Sequence, residues 1–245
     1  MMALEPRGED RFVATGPRYP WGFLYGGQVV AQAVRAAAAG VRPEAQPHSL
    51  HVYYLRAGDD SAPVELAVER VRDGRAFSVR SVTAGQAGRA IASAVVSFHV
   101  DECADPPRGL SSPWASRPEE LAGDGWSPHF ERRYAPVTQP ARALAWLRMN
   151  EPIGDRPLLQ ACALAYMADD IPDDAVAAML RPDERPSTTS LDFAAWFHRP
   201  IHTDGWLLHD FRCQALANAC AMVVGEVFDQ RGAHVATIGQ QVLVR

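Results

Sequence analysis

The stretch that decides the fold is Gly26-Gly-Gln-Val-Val-Ala-Gln-Ala-Val-Arg-Ala-Ala-Ala-Ala-Gly40. It is rich in alanine, contains no proline and closes at a glycine, the residue that most often follows a helix end. The pattern predicts a helix over residues 26–39. Apolar side chains occur on nearly every side of this helix, which is typical of a helix that the rest of the protein surrounds.

A second helix of the same kind is predicted for residues 157–168, with Pro157 in the first turn, where its missing N–H is tolerated. Four β-rich segments follow each helix, and the pairs Asp73-Gly74 and Arg231-Gly232 supply turns within these blocks. The predicted strands are 48–55, 64–71, 77–84 and 90–99 in the first half, and 191–198, 206–215, 221–228 and 235–244 in the second.

The two halves resemble each other in order and in places residue by residue. Ser49-Leu50-His51 begins the first strand after one helix, and Ser190-Leu191-Asp192 begins its counterpart 141 residues later (190 − 49 = 141). Residues 101–140 are rich in Pro, Ser and Gly and break the periodicity, as a linker does. We therefore expect an N-terminal repeat (1–100), a linker (101–140) and a C-terminal repeat (141–245).

Such a repeat cannot be stable alone, because one helix covers only one face of its sheet and leaves an unpaired sheet edge. A tandem copy in the same chain supplies the missing partner. The predicted fold class is therefore α+β, with one continuous antiparallel sheet wrapped around two central helices, the arrangement called the double hotdog.

Composition excludes several classes of function. The 245 residues are 47% hydrophobic and 22% charged, as in ordinary soluble globular proteins. A net charge of −5 without a basic run disfavours nucleic-acid binding. The apolar runs are shorter than the roughly 20 residues that span a bilayer, so no membrane association is expected, and the acidic stretch 1–10 is unlike a signal peptide.

The cysteines indicate a reducing environment. They form no CxxC pair, so we expect free thiols in a cytoplasmic protein, with neither a disulfide framework nor a zinc site; the four are Cys103, Cys162, Cys213 and Cys220. The sequence also lacks a GxSxG, P-loop, GxGxxG or HExxH motif. We accordingly predict no metal and no cofactor.

Three short polar groups are candidates for a functional site. Gly26-Gly27-Gln28 begins a helix, where free backbone N–H groups can bind a substrate phosphate, although close packing of a loop on the helix is the preferred interpretation of the two glycines. Asp169-Asp170 ends the second apolar helix, where the helix dipole disfavours carboxylates, which indicates a functional role. The alternative is that the chain simply leaves the core at this point. Gln240-Gln241 lies within an apolar strand, and a buried Gln needs a polar partner; an edge strand with a solvated face is the alternative.

Several motifs resemble the acyl-CoA thioesterase II family, which includes bacterial and peroxisomal acyl-CoA thioesterases. The resemblance covers roughly residues 22–98 and 142–244 and preserves the order of the motifs. These are Tyr25-Gly-Gly-Gln-Val-Val-Ala-Gln-Ala33, His48-Ser-Leu-His-Val-Tyr-Tyr-Leu-Arg-Ala-Gly58, Arg72-Asp-Gly-Arg-Ala-Phe-Ser78 and Ser190-Leu-Asp-Phe-Ala-Ala-Trp-Phe-His-Arg-Pro200.

The resemblance implies hydrolysis of fatty acyl-CoA to free fatty acid and coenzyme A without a covalent intermediate. It also implies that Asp169, Ser190 and Gln240 together position the attacking water, and that the chain forms a dimer or tetramer. Gln241-Val242 follows Gln240 where the family usually has Glu-Gly. Asp170 remains an alternative carboxylate, and a non-catalytic acyl-CoA or lipid-binding protein and an enoyl-CoA hydratase remain alternative functions.

Overall fold

One sheet of thirteen antiparallel strands dominates the part of the chain that the computed structural model describes, which is residues 2–101, 108–181, 183–184 and 186–245. The first half contains β1 (Leu4–Pro6), β2 (Arg11–Ala14), α1 (Gly26–Ala37), β3 (Ala45–Tyr54), β4 (Val64–Asp73), β5 (Phe77–Gln86) and β6 (Arg89–Val100). The second half contains β7 (Phe130–Tyr134), β8 (Arg142–Met149), α2 (Pro157–Ala168), α3 (Pro172–Ala177), β9 (Thr188–Ser190), β10 (Asp192–Phe197), β11 (Leu207–Ala217), β12 (Cys220–Asp229) and β13 (His234–Val244).

The two halves join through β3 and β10, the neighbouring strands at the centre of the sheet, whose order is β1-β2-β4-β5-β6-β3-β10-β13-β12-β11-β8-β7, with β9 beside β13. His51 pairs with Ala194, and Tyr53 pairs with Asp192. His51 and Asp192 are 141 residues apart, as are Tyr53 and Ala194, so exchanging the halves maps this pairing onto itself. The register therefore carries the two-fold relation that the sequence repeat predicts.

Both central helices lie on the inner face of the sheet and pack against each other. Small side chains such as Ala31 on α1 and Ala163 on α2 are fully buried, and they let the two helices approach closely. The double hotdog prediction is confirmed by this topology. In the described part of the chain, no helix is long and apolar enough to cross a membrane.

The predicted helix and strand boundaries differ from the observed ones in a few places. α1 ends at Ala37 rather than at residue 39, because the Ala39 N–H bonds to the Ala36 carbonyl and tightens the last turn before Gly40, which has a φ of +68°. The eight predicted strands are present with ends shifted by up to three residues. β1, β2, β7, β8, β9 and α3 were not predicted.

The segment predicted as a linker takes part in the fold where the structure describes it. It contributes β7, which pairs with β8, and its Ala115 and Leu121 pack against a second buried cluster that includes Trp146 and Trp206. There the Trp146 indole donates to the Ser116 carbonyl at 2.9 Å. Cys103 belongs to residues 102–107, which lie outside the described residues, and the proposed boundaries at residues 100 and 141 stay a prediction.

We predict that Gly27 is essential to the contact between α1 and α2. A Cβ at Gly27 would lie 2.5 Å from the carbonyl oxygen of Tyr166 and 2.7 Å from the Tyr25 ring. Gly27→Ala is therefore expected to lower the free energy of unfolding by about 1–3 kcal/mol, because neither helix can move without disturbing the core.

Gly123→Ala is the matched control, since the nearest atom to its added Cβ would be an ordinary contact at 3.5 Å. Urea unfolding of both variants measures the difference. Equal stabilities for the two variants would show that the helix contact tolerates the added methyl group.

Candidate active site

Asp169 lies where the C-terminus of α2 meets the N-terminus of α1. It caps α2 immediately after Ala168, and its side chain is buried. Its Oδ2 accepts a hydrogen bond from the Gly27 backbone N–H at 2.7 Å, and its Oδ1 accepts one from the Tyr54 hydroxyl at 3.3 Å. Two elements of the first half thus hold a carboxylate that belongs to the second half.

Gln240 joins this carboxylate to a hydroxyl group. Its Nε2 donates to Asp169 Oδ1 at 3.1 Å and to Ser190 Oγ at 2.8 Å. Gln240 is buried on β13, and Ser190 lies beside it on β9, where Ser190 pairs with Val242. The structure therefore brings together Asp169, Ser190 and Gln240, the three residues that the family resemblance selects.

Burial raises the pKa of Asp169 to about 8. Loss of solvation is the largest cause, and the nearby Asp173 carboxylate adds to it. Hydrogen bonds from the Gly27 N–H, Gln240 and Tyr54 oppose the increase because they stabilise the ionised form. The result is a carboxylate that gains or loses a proton close to neutral pH.

Asp170 occupies a different environment from its neighbour. Its Oδ2 accepts from the Arg132 guanidinium at 2.6 Å, and its Oδ1 accepts from the Trp126 indole N–H at 2.6 Å. Burial raises the pKa of Asp170 to about 6, and the Arg132 charge limits the increase. Asp170 therefore anchors β7 and Trp126.

The glycines at the start of α1 touch the same carboxylate. A Cβ at Gly26 would lie 2.7 Å from Asp169 Oδ2 and 2.9 Å from the Tyr54 hydroxyl. Gln28 is fully buried, its Oε1 accepts from the Tyr19 hydroxyl at 2.8 Å, and its Nε2 has no partner among the described residues. Both glycines thus serve close packing, and substrate binding by Gly26, Gly27 and Gln28 stays a prediction.

An aromatic cavity of about 160 Å³ lies beside this site and was not predicted from the sequence. Tyr25 and Tyr166 connect the two, since the Tyr25 hydroxyl donates to the Tyr166 carbonyl at 2.8 Å and both rings line the cavity. Residues 17–25 (Pro-Arg-Tyr-Pro-Trp-Gly-Phe-Leu-Tyr) carry the one sequence signal for it, a run of aromatic residues before the helix. Tyr54 was also not predicted as a site residue, although it lies within the motif of residues 48–58.

Metal ligands are not clustered in the described part of the chain, where no group of three or more His, Cys, Asp or Glu side chains could hold an ion. The site described above consists of a carboxylate, an amide and a hydroxyl. Such a set can orient a water molecule and exchange one proton with it.

We predict that Asp169 makes stability depend on pH in a defined direction. The ordinary pKa of this group is 3.8, and in the folded protein it is about 8. Between these values the folded protein retains a proton that the unfolded chain releases, so this contribution to stability falls as the pH rises. The Tm of Asp169→Asn relative to the wild type is expected to increase from about pH 5 to about pH 9.

Asp59→Asn is the control, because hydrogen bonds from Ser61 lower the pKa of this exposed carboxyl group and place its titration below that range. Its Tm difference from the wild type should stay constant. Thermal unfolding followed by circular dichroism at several pH values makes the comparison. A constant difference for Asp169→Asn as well would contradict a raised pKa.

Comparison with protein families matches both halves of the chain. The acyl-CoA thioesterase N-terminal domain matches residues 15–99, and the acyl-CoA thioesterase C-terminal domain matches residues 100–244. Acyl-coenzyme A thioesterase 8 of Homo sapiens is 30% identical over 282 aligned positions, covering 100% of this chain and 88% of that protein. Acyl-CoA thioesterase 2 of Haemophilus influenzae is 28% identical, covering 96% of this chain and 93% of that protein.

Solved structures agree with this result. The acyl-CoA thioesterase II TesB2 of Mycobacterium marinum superposes with a TM-score of 0.88 at 33% identity, covering 100% of this chain and 95% of that one. A tesB protein of Mycobacterium avium subs paratuberculosis superposes with a TM-score of 0.91 at 31% identity, covering 100% and 96%. Since both halves match in order and along nearly their whole length, this chain belongs to the acyl-CoA thioesterase family.

Proposed function

We propose that the protein hydrolyses fatty acyl-CoA thioesters to free fatty acids and coenzyme A by direct attack of water, and that Asp169, Ser190 and Gln240 are the residues that perform the reaction. The observation that carries the proposal is the continuous hydrogen-bonded chain from the Asp169 carboxylate through the Gln240 amide to the Ser190 hydroxyl. Family membership supports the reaction class, and the geometry supports the residues.

The reaction requires a group that first accepts and then returns a proton. The ionised Asp169 carboxylate takes a proton from water as the water oxygen bonds to the thioester carbonyl carbon. The tetrahedral intermediate then collapses, the carbon–sulfur bond breaks, and Asp169 returns the proton to the departing thiolate. A carboxyl group with a pKa of about 8 suits both steps, because neither protonation state is strongly favoured near neutral pH.

Gln240 and Ser190 fix where the water lies. Both amide hydrogens of Gln240 are used, one on Asp169 and one on Ser190, so the amide sets the relation between the carboxylate and the hydroxyl. Because Ser190 Oγ accepts from Gln240, its own proton is free to point at a ligand. An ordered base and an ordered hydroxyl replace the random encounters of the uncatalysed reaction.

Release of free thiol from a panel of acyl-CoAs of graded chain length tests the proposed reaction. The wild type is expected to release coenzyme A from at least part of the panel. Binding of acyl-CoA without release of thiol at any chain length would contradict the proposal.

Substitutions test the three residues, and β9 and β13 each offer a neighbouring position as a matched control. Asp169→Asn is expected to lower kcat/KM by about 10²–10⁴-fold, since it removes the base. Gln240→Ala and Ser190→Ala are each expected to lower it by about 10–100-fold, since they disturb the position of the water. Gln241 and Thr189 are exposed neighbours of the last two residues, so Gln241→Ala and Thr189→Ala should retain nearly full activity.

The same assay run on all five variants separates a site from a general loss of folding. Equal losses of kcat/KM in Gln240→Ala and Gln241→Ala would show that Gln240 has no specific role in the reaction. Full activity in Asp169→Asn would show that the carboxylate does not act as the base.

We predict an activity that rises with pH around a midpoint of about 8 and levels off at higher pH. Only the ionised form of Asp169 can accept a proton from water, and burial raises its pKa to about 8. The pH dependence of kcat/KM reports groups of the free enzyme, so its ascending limb should have a midpoint near that value. A midpoint near 4, the ordinary value for Asp, would contradict the assignment.

We further propose a cytoplasmic, homo-oligomeric protein. Cys162 and Cys213 are buried free thiols, which supports a reducing compartment. Tyr53, Val95 and Trp196 are exposed on neighbouring strands at the centre of the sheet, and the strand register places them on one face. An exposed apolar patch of this kind supports association of copies into a dimer or tetramer.

A further inference from the structure

Rings line the cavity beside the site almost completely. Its volume is about 160 Å³, and among the described residues no Leu, Ile, Val or Met lines it, although such residues fill the core elsewhere. The lining residues with rings are Tyr19, Trp21, Tyr25, Trp126, His129, Phe130 and Tyr166, together with three prolines, and the other two lining residues are Arg18 and Ser127.

One wall is a ladder of three stacked rings from both halves of the chain. Tyr19 stacks on Trp21 with centroids 5.0 Å apart, and Trp21 stacks on Trp126 with centroids 5.5 Å apart. Trp126 is held from behind by Asp170, which accepts its indole N–H, and by the Arg132 guanidinium 5.3 Å from its ring centroid. These contacts hold the Trp126 ring against the Trp21 ring.

A second group of lining rings is centred on Tyr166. It packs against the first, since the Tyr25 ring centroid lies 5.7 Å from that of Tyr19 and 6.2 Å from that of Trp21. The rings of Tyr25 and Phe130 meet the Tyr166 ring nearly at right angles, at 78° and 81°. The Tyr166 hydroxyl lies 3.2 Å from the Tyr19 hydroxyl, which joins the two groups. Edge-to-face and offset-stacked geometries are the ones that aromatic rings prefer among themselves.

The cavity and the proposed active site both lie against α2, about one helical turn apart. Tyr166 and Asp169 are three residues apart, which places them about 4.5 Å apart along the helix axis and on one side of the helix. Tyr25, which also lines the cavity, immediately precedes the two glycines that contact Asp169. An acyl group in the cavity would therefore have its thioester end close to the Asp169 carboxylate.

From this lining we infer that the cavity takes the acyl group of the substrate and selects acyl groups that end in one aromatic ring, such as phenylacetyl, over long linear chains. A cavity of about 150 Å³ in another protein accepts benzene, which matches the volume here. The inference rests on the proposed hydrolysis of acyl-CoA and names the class of acyl group for that same site.

A panel of four substrates tests the inference in the wild-type protein. Phenylacetyl-CoA is expected to have a kcat/KM about tenfold above that of decanoyl-CoA, whose chain exceeds the cavity, with hexanoyl-CoA between them. Cyclohexylacetyl-CoA is the matched control for size, and phenylacetyl-CoA should exceed it by about three- to tenfold because only the aromatic ring gains from the ring walls.

The outcomes distinguish the inference from the proposed function. Hydrolysis of decanoyl-CoA at least as fast as phenylacetyl-CoA, or equal rates for the two cyclic substrates, would overturn the inference and leave the thioesterase activity intact. Absence of any hydrolysis would overturn the proposed function. In that case, calorimetric titration with phenylacetyl-CoA and decanoyl-CoA still tests the cavity, and tighter binding of decanoyl-CoA would overturn the inference.

Trp21→Leu tests the aromatic wall directly. This variant removes the middle ring of the ladder, so the preference for phenylacetyl-CoA over cyclohexylacetyl-CoA should shrink to less than about twofold. Trp114→Leu is the matched control, because Trp114 is 85% exposed and is not among the residues that line the cavity. A preference that survives in Trp21→Leu would overturn the role of the ring ladder, and the substrate panel in the wild type stands even if Trp21→Leu does not fold.

Discussion

The buried hydrogen bond between the Gly27 N–H and the Asp169 carboxylate is the interaction on which the site depends. Asp169 caps its own helix at the end where the helix dipole is negative, so α2 alone disfavours a charge there. The N-terminus of α1 supplies a positive helix end at the same point, and its N–H group lies 2.7 Å from the carboxylate. One helix thus offsets the electrostatic cost imposed by the other, provided that residues 26 and 27 lack side chains.

The two repeats contain equivalent positions, and only those in the second half carry the polar side chains of the proposed site. Tyr53 and Ala194 are related by the repeat, and their strand partners are Ser93 and Gly239. The residues that follow those partners are Ala94 in the first half and Gln240 in the second, both buried. The first half therefore has a methyl group where the second half has the amide that joins carboxylate to hydroxyl. The N-terminal repeat instead contributes Gly27 and Tyr54, so a single site needs both repeats.

The sequence predicts the repeated helices and strands well because their patterns are local, and it fails where tertiary pairing decides. β8 is Arg142-Ala-Leu-Ala-Trp-Leu-Arg-Met149, made largely of residues that favour helices. It is a strand because β7 and β11 pair with both of its edges, and because it is buried on both faces. The trio of the site followed from a family resemblance, whereas the aromatic cavity joins Trp21 to Trp126 across 105 positions and leaves no periodic signal.

Asp169 and Asp170 are adjacent in sequence, so position along the chain alone could not predict which carboxylate belongs to the site. Successive residues at a helix end point about 100° apart, so one side chain enters the site and the other turns toward β7. Burial with neutral donors leaves the pKa of Asp169 at about 8, whereas the Arg132 charge holds the pKa of Asp170 at about 6. Two carboxylates with separated pKa values can serve separate purposes. Asp170 fixes Trp126 at the wall of the cavity and Asp169 faces Gln240, so the turn after α2 couples the place where the acyl group would bind to the place where the water would be activated.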